Sequence, residues 1–82
     1  MPGKTMTLLE LMAEYGGFDY ISDLRFLSCI ERCRLSRIIE RQLPLETATL
    51  EEWNEALRYL TCAPPAQDAE AARILLLKQL RA

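Results

Sequence analysis

The sequence contains no histidine, and this absence restricts the chemistry that the chain can perform. Histidine is the commonest general base near neutral pH, and it activates serine and cysteine nucleophiles. The only adjacent glycines, Gly16-Gly17, follow a helical pattern rather than a strand, so no glycine-rich phosphate loop is present. We therefore predict that the protein is not an enzyme and that it binds no cofactor.

Long apolar runs are also absent. No stretch approaches the roughly 20 apolar residues that a helix needs to cross a bilayer. The apolar run over residues 7–12 is too short for a signal peptide, and Glu10 interrupts it. The three cysteines are an odd number without the spacing of a disulfide framework. These features predict a cytoplasmic protein with reduced thiols and no membrane association.

Charge of one sign is not in excess either. Ten basic and twelve acidic residues give a net charge of −2, which provides no long-range attraction to nucleic acid or to an anionic membrane. Most of the basic residues are arginines, whose planar guanidinium pairs well with carboxylates. This bias favours ion pairs within the chain or a protein interface.

What the sequence does contain is helical periodicity. Half of its 82 residues are apolar, enough for one small core, and we predict a single all-α domain over residues 1–82 with a frayed leader at residues 1–6. The fold class is a compact bundle of four helices. Capping signals mark the starts of these helices, and glycine or proline marks their ends. They begin at Thr7, at Ser22, at Thr49 and between Pro65 and Asp68, and the first three end at Gly16-Gly17, about Gln42 and Pro64-Pro65.

The second of these segments has an unusual apolar phase. On a helical wheel its first half places one apolar cluster on one side, and its second half places another on nearly the opposite side. The first cluster contains Phe26, Leu27, Cys29, Ile30 and Cys33, and the second contains Leu35, Ile38, Ile39 and Leu43. Either the helix breaks near residues 34–36, with Ser36 as a new N-cap and five helices in all, or one helix buries different faces at its two ends. We favour the continuous helix, because no glycine or proline marks a break.

Cys29 and Cys33 are four residues apart and could suggest a metal or redox site. Structural zinc needs four ligands, and even with Cys62 the chain offers three thiols and no histidine. The pair also lacks the C-x-x-C spacing of redox motifs. We therefore predict no metal site and interpret both cysteines as small buried hydrophobes of the core.

Arg34, Arg37 and Arg41 form a row on the same segment. Such a row could track phosphates, and the alternative function is a nucleic-acid-associated regulator of a mobile element or operon. The next helix begins with EEWNE, which would repel DNA, so nucleic acid is the weaker prediction. The row could also be a solvated face with ion pairs such as Glu31–Arg34 and Arg37–Glu40.

The last helix carries more apolar residues than one core face needs. If Leu75 and Leu76 face the core, then Ile74 and Leu77 point outward. Arginine beside apolar residues is typical of protein interfaces. The leading prediction is a non-enzymatic protein-interaction module, a small accessory or regulatory protein that could also form a homodimer or a larger homo-oligomer. Its partner-binding residues would be Arg34, Arg37, Arg41, Ile74 and Leu77. The competing interpretation, that every apolar residue fills the core, leaves the function unexplained.

Overall fold

A computed structural model describes residues 6–81, and over this range the chain forms four α-helices and no strand. The helices are α1 (Leu8–Gly16), α2 (Cys29–Gln42), α3 (Leu50–Thr61) and α4 (Ala69–Arg81), with short 3-10 helices at Ile21–Arg25 and Leu45–Thr47. The predicted all-α bundle of four helices is confirmed. The frayed leader predicted at residues 1–6 lies outside the described residues, apart from Met6.

Local capping chemistry sets the starts of α1, α3 and α4, as predicted. The Thr7 hydroxyl accepts from the backbone N–H of Glu10, and the Glu10 carboxylate accepts from the N–H of Thr7 at 2.7 Å. The Thr49 hydroxyl accepts from the backbone N–H of Glu52 in α3. Asp68, before α4, likewise accepts from the N–H three residues on, at 2.7 Å. Each cap satisfies N–H groups that a helix leaves without partners, so these boundaries follow from nearby residues alone.

The predicted start of the second helix at Ser22 is wrong. Residues Ile21–Arg25 form a 3-10 helix, the chain then turns, and α2 begins only at Cys29. Ser28 is the N-cap: its hydroxyl accepts from the N–H of Glu31, and the Glu31 carboxylate accepts from the N–H of Ser28 at 2.9 Å. These bonds with Ser28 lower the pKa of the Glu31 carboxyl, and the positive charge of Arg34 adds to the effect.

The helix itself runs without interruption through residues 34–36, as favoured from the sequence. Ser36 is buried inside α2 and is not an N-cap. Its hydroxyl donates to the carbonyl of Cys33 at 2.7 Å and accepts from the Arg81 guanidinium at 3.2 Å. The chain is instead interrupted upstream, at residues 26–28, so Phe26 and Leu27 lie outside α2.

The core lies around Trp53 of α3, which is completely buried. α4 packs against both α2 and α3. From α4, the Arg73 guanidinium donates to the carbonyls of Ile39 and Leu43 at 3.1 and 3.2 Å, and it also lies 5.9 Å from the Trp53 ring centre. Trp53 donates its indole N–H to the carbonyl of Leu45 at 3.1 Å. These bonds fix the C-terminal end of α2 against α3 and α4.

The predicted burial of the first apolar cluster is wrong for four of its five residues. Phe26 is 83% exposed and Ile30 is 82% exposed. Cys29 and Cys33 are exposed free thiols rather than core residues. The second cluster does enter the core, where Leu35, Ile39 and Leu43 are at most 1% exposed. Because α2 buries only the face that carries the second cluster, the opposite face lies in solvent.

Candidate protein-interaction surface

The outward face of α2 carries a stripe of four residues at helical spacing. Ile30, Arg34, Arg37 and Arg41 follow one another at intervals of four, three and four residues, so they share one side of the helix. All four are exposed. We call this row the α2 stripe. It is apolar at its N-terminal end and basic along the rest of its length.

Arg34 is the member of the α2 stripe that is engaged within its own chain. Its guanidinium donates to the carbonyl of Gly16 at 2.9 Å and lies 5.9 Å from the ring centre of Phe18. Gly16 itself has no room for a side chain, because a Cβ there would stand 2.6 Å from the Phe18 ring. Arg34 therefore fastens α2 to the end of α1 and is only partly free for a partner.

Arg37 and Arg41, in contrast, make no hydrogen bond or ion pair within residues 6–81. The predicted ion pairs with Glu31 and Glu40 are not formed in the described structure. Glu31 is occupied in capping Ser28, and Glu40 pairs with Arg81 of α4. Two guanidinium groups one helical turn apart are thus left without acidic partners in their own chain.

The outward direction predicted for Leu77 is wrong, whereas that of Ile74 agrees with the structure. Ile74 is 56% exposed, but Leu77 is only 8% exposed. α4 turns Leu77 toward α2, where it lies in the floor of a groove of about 580 Å³. Ile74, Lys78, Arg81 and Glu40 complete that groove. The groove reaches α2 at Glu40, which is next to Arg41 of the α2 stripe in sequence.

Phe26 and Ile30 were missed as surface residues, and one sequence signal could have found them. Ser28 and Glu31 have the S-x-x-E spacing of a capping box, which marks a helix start. A helix that starts at Cys29 keeps Leu35 and Ile39 on its buried side and turns Ile30 to solvent. The apolar pattern of residues 26–33 hides this start, because it continues into residues 35–43 with no glycine or proline between them.

A second charged surface lies on α3. A groove of about 620 Å³ runs along the helix to the loop that follows it, and we call it the α3 groove. Its lining is acidic, because Glu51, Glu52 and Glu55 outnumber the single Arg58. None of these carboxylates forms an ion pair with another described residue. Pro65 lies at the far end of the groove.

The described residues offer no metal-binding cluster and no membrane helix. In the range 6–81, no three cysteine, aspartate or glutamate side chains come together in a way that could hold a metal ion. Over the same part of the chain, no helix has both the length and the apolar character required to cross a bilayer.

Comparisons of the chain with protein-family models, curated proteins and solved structures gave no match. The surface described above is therefore the basis for a functional proposal.

Proposed function

We propose that this chain is a non-enzymatic protein-interaction module, a small cytoplasmic accessory or regulatory protein that docks through the α2 stripe and the neighbouring α2–α4 groove. The observation that carries the proposal is that Ile30, which is 82% exposed, lies on the same side of α2 as the unpaired Arg37 and Arg41, and that Phe26, four residues before it, is 83% exposed. Exposed apolar side chains next to arginine are typical of the centre of a protein interface.

The energetic argument follows from what the fold leaves uncovered. Burial of a large apolar side chain is worth about 1.5–3 kcal/mol, and neither Phe26 nor Ile30 obtains this within the chain. A partner that covers them would gain it. Arg37 and Arg41 would then select a partner that presents carboxylates, because complementary charge contributes to specificity and to the rate of association.

A nucleic-acid-associated regulator remains the second candidate function. The specific observation that favours it is the row of exposed arginines along α2, whose guanidinium groups could contact successive phosphates. Against it, Phe26 and Ile30 at the end of the row would stay exposed on a phosphate backbone, and the α3 groove adds repulsion. A protein partner could cover the apolar residues and also offer carboxylates to the arginines.

The experiment is site-specific photo-crosslinking. A photoreactive phenylalanine analogue replaces Ile30 in the full chain, and the protein is irradiated in extracts of cells that naturally make it. The matched control carries the same analogue in place of Glu14, which is exposed on α1. We expect a protein adduct from position 30 that is absent from position 14. The adduct should disappear when Arg37→Glu and Ile74→Asp are added.

Three results would overturn the proposal. These are no adduct specific to position 30, an adduct destroyed by nuclease, and an adduct that survives Arg37→Glu with Ile74→Asp. Both substituted side chains are exposed, so helicity measured by circular dichroism should be unchanged and loss of the adduct should not reflect unfolding.

A further inference from the structure

The α2 stripe and the α3 groove complement each other, although they belong to the same chain. The stripe carries Arg37 and Arg41 one helical turn apart, and the groove carries Glu51 and Glu55 one helical turn apart. All four side chains lack an ion-pair partner within the described residues. Because successive charges are about 6 Å apart along each helix, both arginines can stand opposite both carboxylates when the two helices lie side by side.

The apolar ends of the two surfaces match as well. Ile30 lies eleven residues before Arg41, and Cys62 lies eleven residues after Glu51, a distance of about 16 Å along either helix. Beyond these ends lie Phe26 on one surface and the exposed Pro64-Pro65 on the other. If the helices run antiparallel, the basic end meets the acidic end and the apolar end meets the apolar end. A parallel arrangement would place Ile30 against Glu51 instead.

In this antiparallel alignment one pair of like charges would face each other, and the fold reduces the repulsion between them. Arg34 would stand opposite Arg58 of the groove. The Arg34 guanidinium is held against the Gly16 carbonyl and the Phe18 ring, at 2.9 and 5.9 Å, so it is drawn toward α1. Within the α2 stripe, the two arginines that make no hydrogen bond or ion pair to another residue in the range 6–81 are those that face carboxylates.

We propose that the occupant of the α2 stripe is a second copy of this chain, which docks its α3 groove antiparallel to the first copy's α2. The inference rests on the proposed function, because it identifies the partner of that same surface. The contact is heterologous, since it joins two different surfaces, and both are exposed on every copy. Screening weakens it, because the Debye length falls from about 8 Å at 0.15 M salt to about 3 Å at 1 M.

The test is sedimentation velocity of the full chain from micromolar to millimolar concentration at low salt. We expect reversible association that is lost in 1 M salt. Arg37→Glu with Arg41→Glu, or Glu51→Arg with Glu55→Arg, should each weaken it by on the order of tenfold or more, because like charges then meet. An equimolar mixture of the two variants should associate again, because each restores a complementary surface for the other.

The matched control for the acidic pair is Glu14→Arg with Glu70→Arg, which makes the same change in net charge at exposed positions of α1 and α4. It should associate as the wild type does. Circular dichroism of every variant separates loss of contact from loss of folding. A monomeric wild-type chain, or association that persists in Glu51→Arg with Glu55→Arg, would overturn the inference.

Crosslinking of the natural cysteines tests independently whether α2 of one copy lies antiparallel to α3 of the other. Cys29 and Cys33 lie at the apolar end of α2, and Cys62 lies at the end of α3, all exposed. A short bismaleimide should link Cys62 of one copy to Cys29 or Cys33 of another. Dimers linked only between two α2 cysteines would contradict the register.

The two proposals can fail separately. A monomeric protein that still gives an adduct with a different protein at position 30 refutes self-association alone. Absence of any protein adduct at position 30 refutes the docking surface as well.

Discussion

Two neighbouring stretches of this chain have similar apolar content, but their apolar side chains differ in burial. Residues 26–33 contain Phe26 and Ile30, which are more than four-fifths exposed, whereas residues 35–43 contain Leu35, Ile39 and Leu43, which are at most 1% exposed. The difference does not come from hydrophobicity. It comes from tertiary packing, because α1 and α4 pack against α2 on the side that carries Leu35 and Ile39, whereas Ile30 lies on the other side of the same helix.

The comparison shows how an exposed apolar patch can arise without a departure from ordinary helix rules. α2 is well capped and buries one face. Arg73 supplies a donor for the carbonyl of Leu43, the C-cap of α2, and a second donor for the carbonyl of Ile39. Isolated exposed hydrophobes are normal, but Phe26 and Ile30 lie close in sequence at one end of a basic stripe. Four predictions test this contrast, from the largest expected effect to the smallest.

Ile39→Ala should destabilise the protein by about 2–5 kcal/mol, because it removes a completely buried side chain and leaves a cavity. The matched control is Ile30→Ala, the same substitution on the exposed side of the same helix. The measurement is the free energy of unfolding from urea titration of both variants. Equal losses at the two positions would show that Ile30 is buried and would remove the contrast.

Arg73→Met should destabilise by about 1–3 kcal/mol, because the Leu43 carbonyl loses its donor, the Ile39 carbonyl loses one of two, and the site is partly buried. Arg37→Met, on the exposed face of α2, is the control and should change stability little. Thermal or urea unfolding measures both. A negligible effect at Arg73 would mean that the C-terminal end of α2 is held by apolar packing alone.

Glu31→Gln should make stability less dependent on pH in acid. The hydrogen bonds with Ser28 lower the pKa of Glu31 in the folded state below its ordinary value of 4.5. The carboxylate therefore contributes stability above about pH 4.5, and that contribution is lost as pH falls through the lowered pKa. Urea midpoints of wild type and Glu31→Gln should differ at neutral pH and converge in strong acid. The control is Glu14→Gln, which removes a carboxylate that caps no helix. A constant difference at all pH values would contradict the charged cap.

Phe26→Ser with Ile30→Ser should have the smallest effect on stability, within about 0.5 kcal/mol, because neither side chain is covered. The same variant should weaken self-association measured by sedimentation. Leu27→Ser is the control, since Leu27 packs partly against the core and should reduce stability instead. A strongly destabilised double variant would mean that Phe26 and Ile30 support the fold and are not a docking patch.

Much of the fold was predictable because helix boundaries depend on nearby residues. Thr7 and Glu10 form the predicted capping box, and Asp68 caps α4 through the N–H three residues on. Ser28 and Glu31 carry an equally local signal, but the apolar residues on both sides of it favour a helix that begins at Ser22. The partner surface was predicted less well. The exposure of Ile74 agreed with the structure, but Leu77 lies in the floor of a groove, and Phe26 and Ile30 were assigned to the core.

The sequence by itself determined the all-α class, the caps and the order of charges along α2 and α3, because these depend on neighbouring residues and helical spacing. Only the tertiary structure decided which side of α2 is covered, because burial depends on where α1 and α4 pack. It also decided which arginines remain free. Arg34, Arg73 and Arg81 donate to acceptors on neighbouring elements, whereas Arg37 and Arg41 make no hydrogen bond or ion pair within residues 6–81.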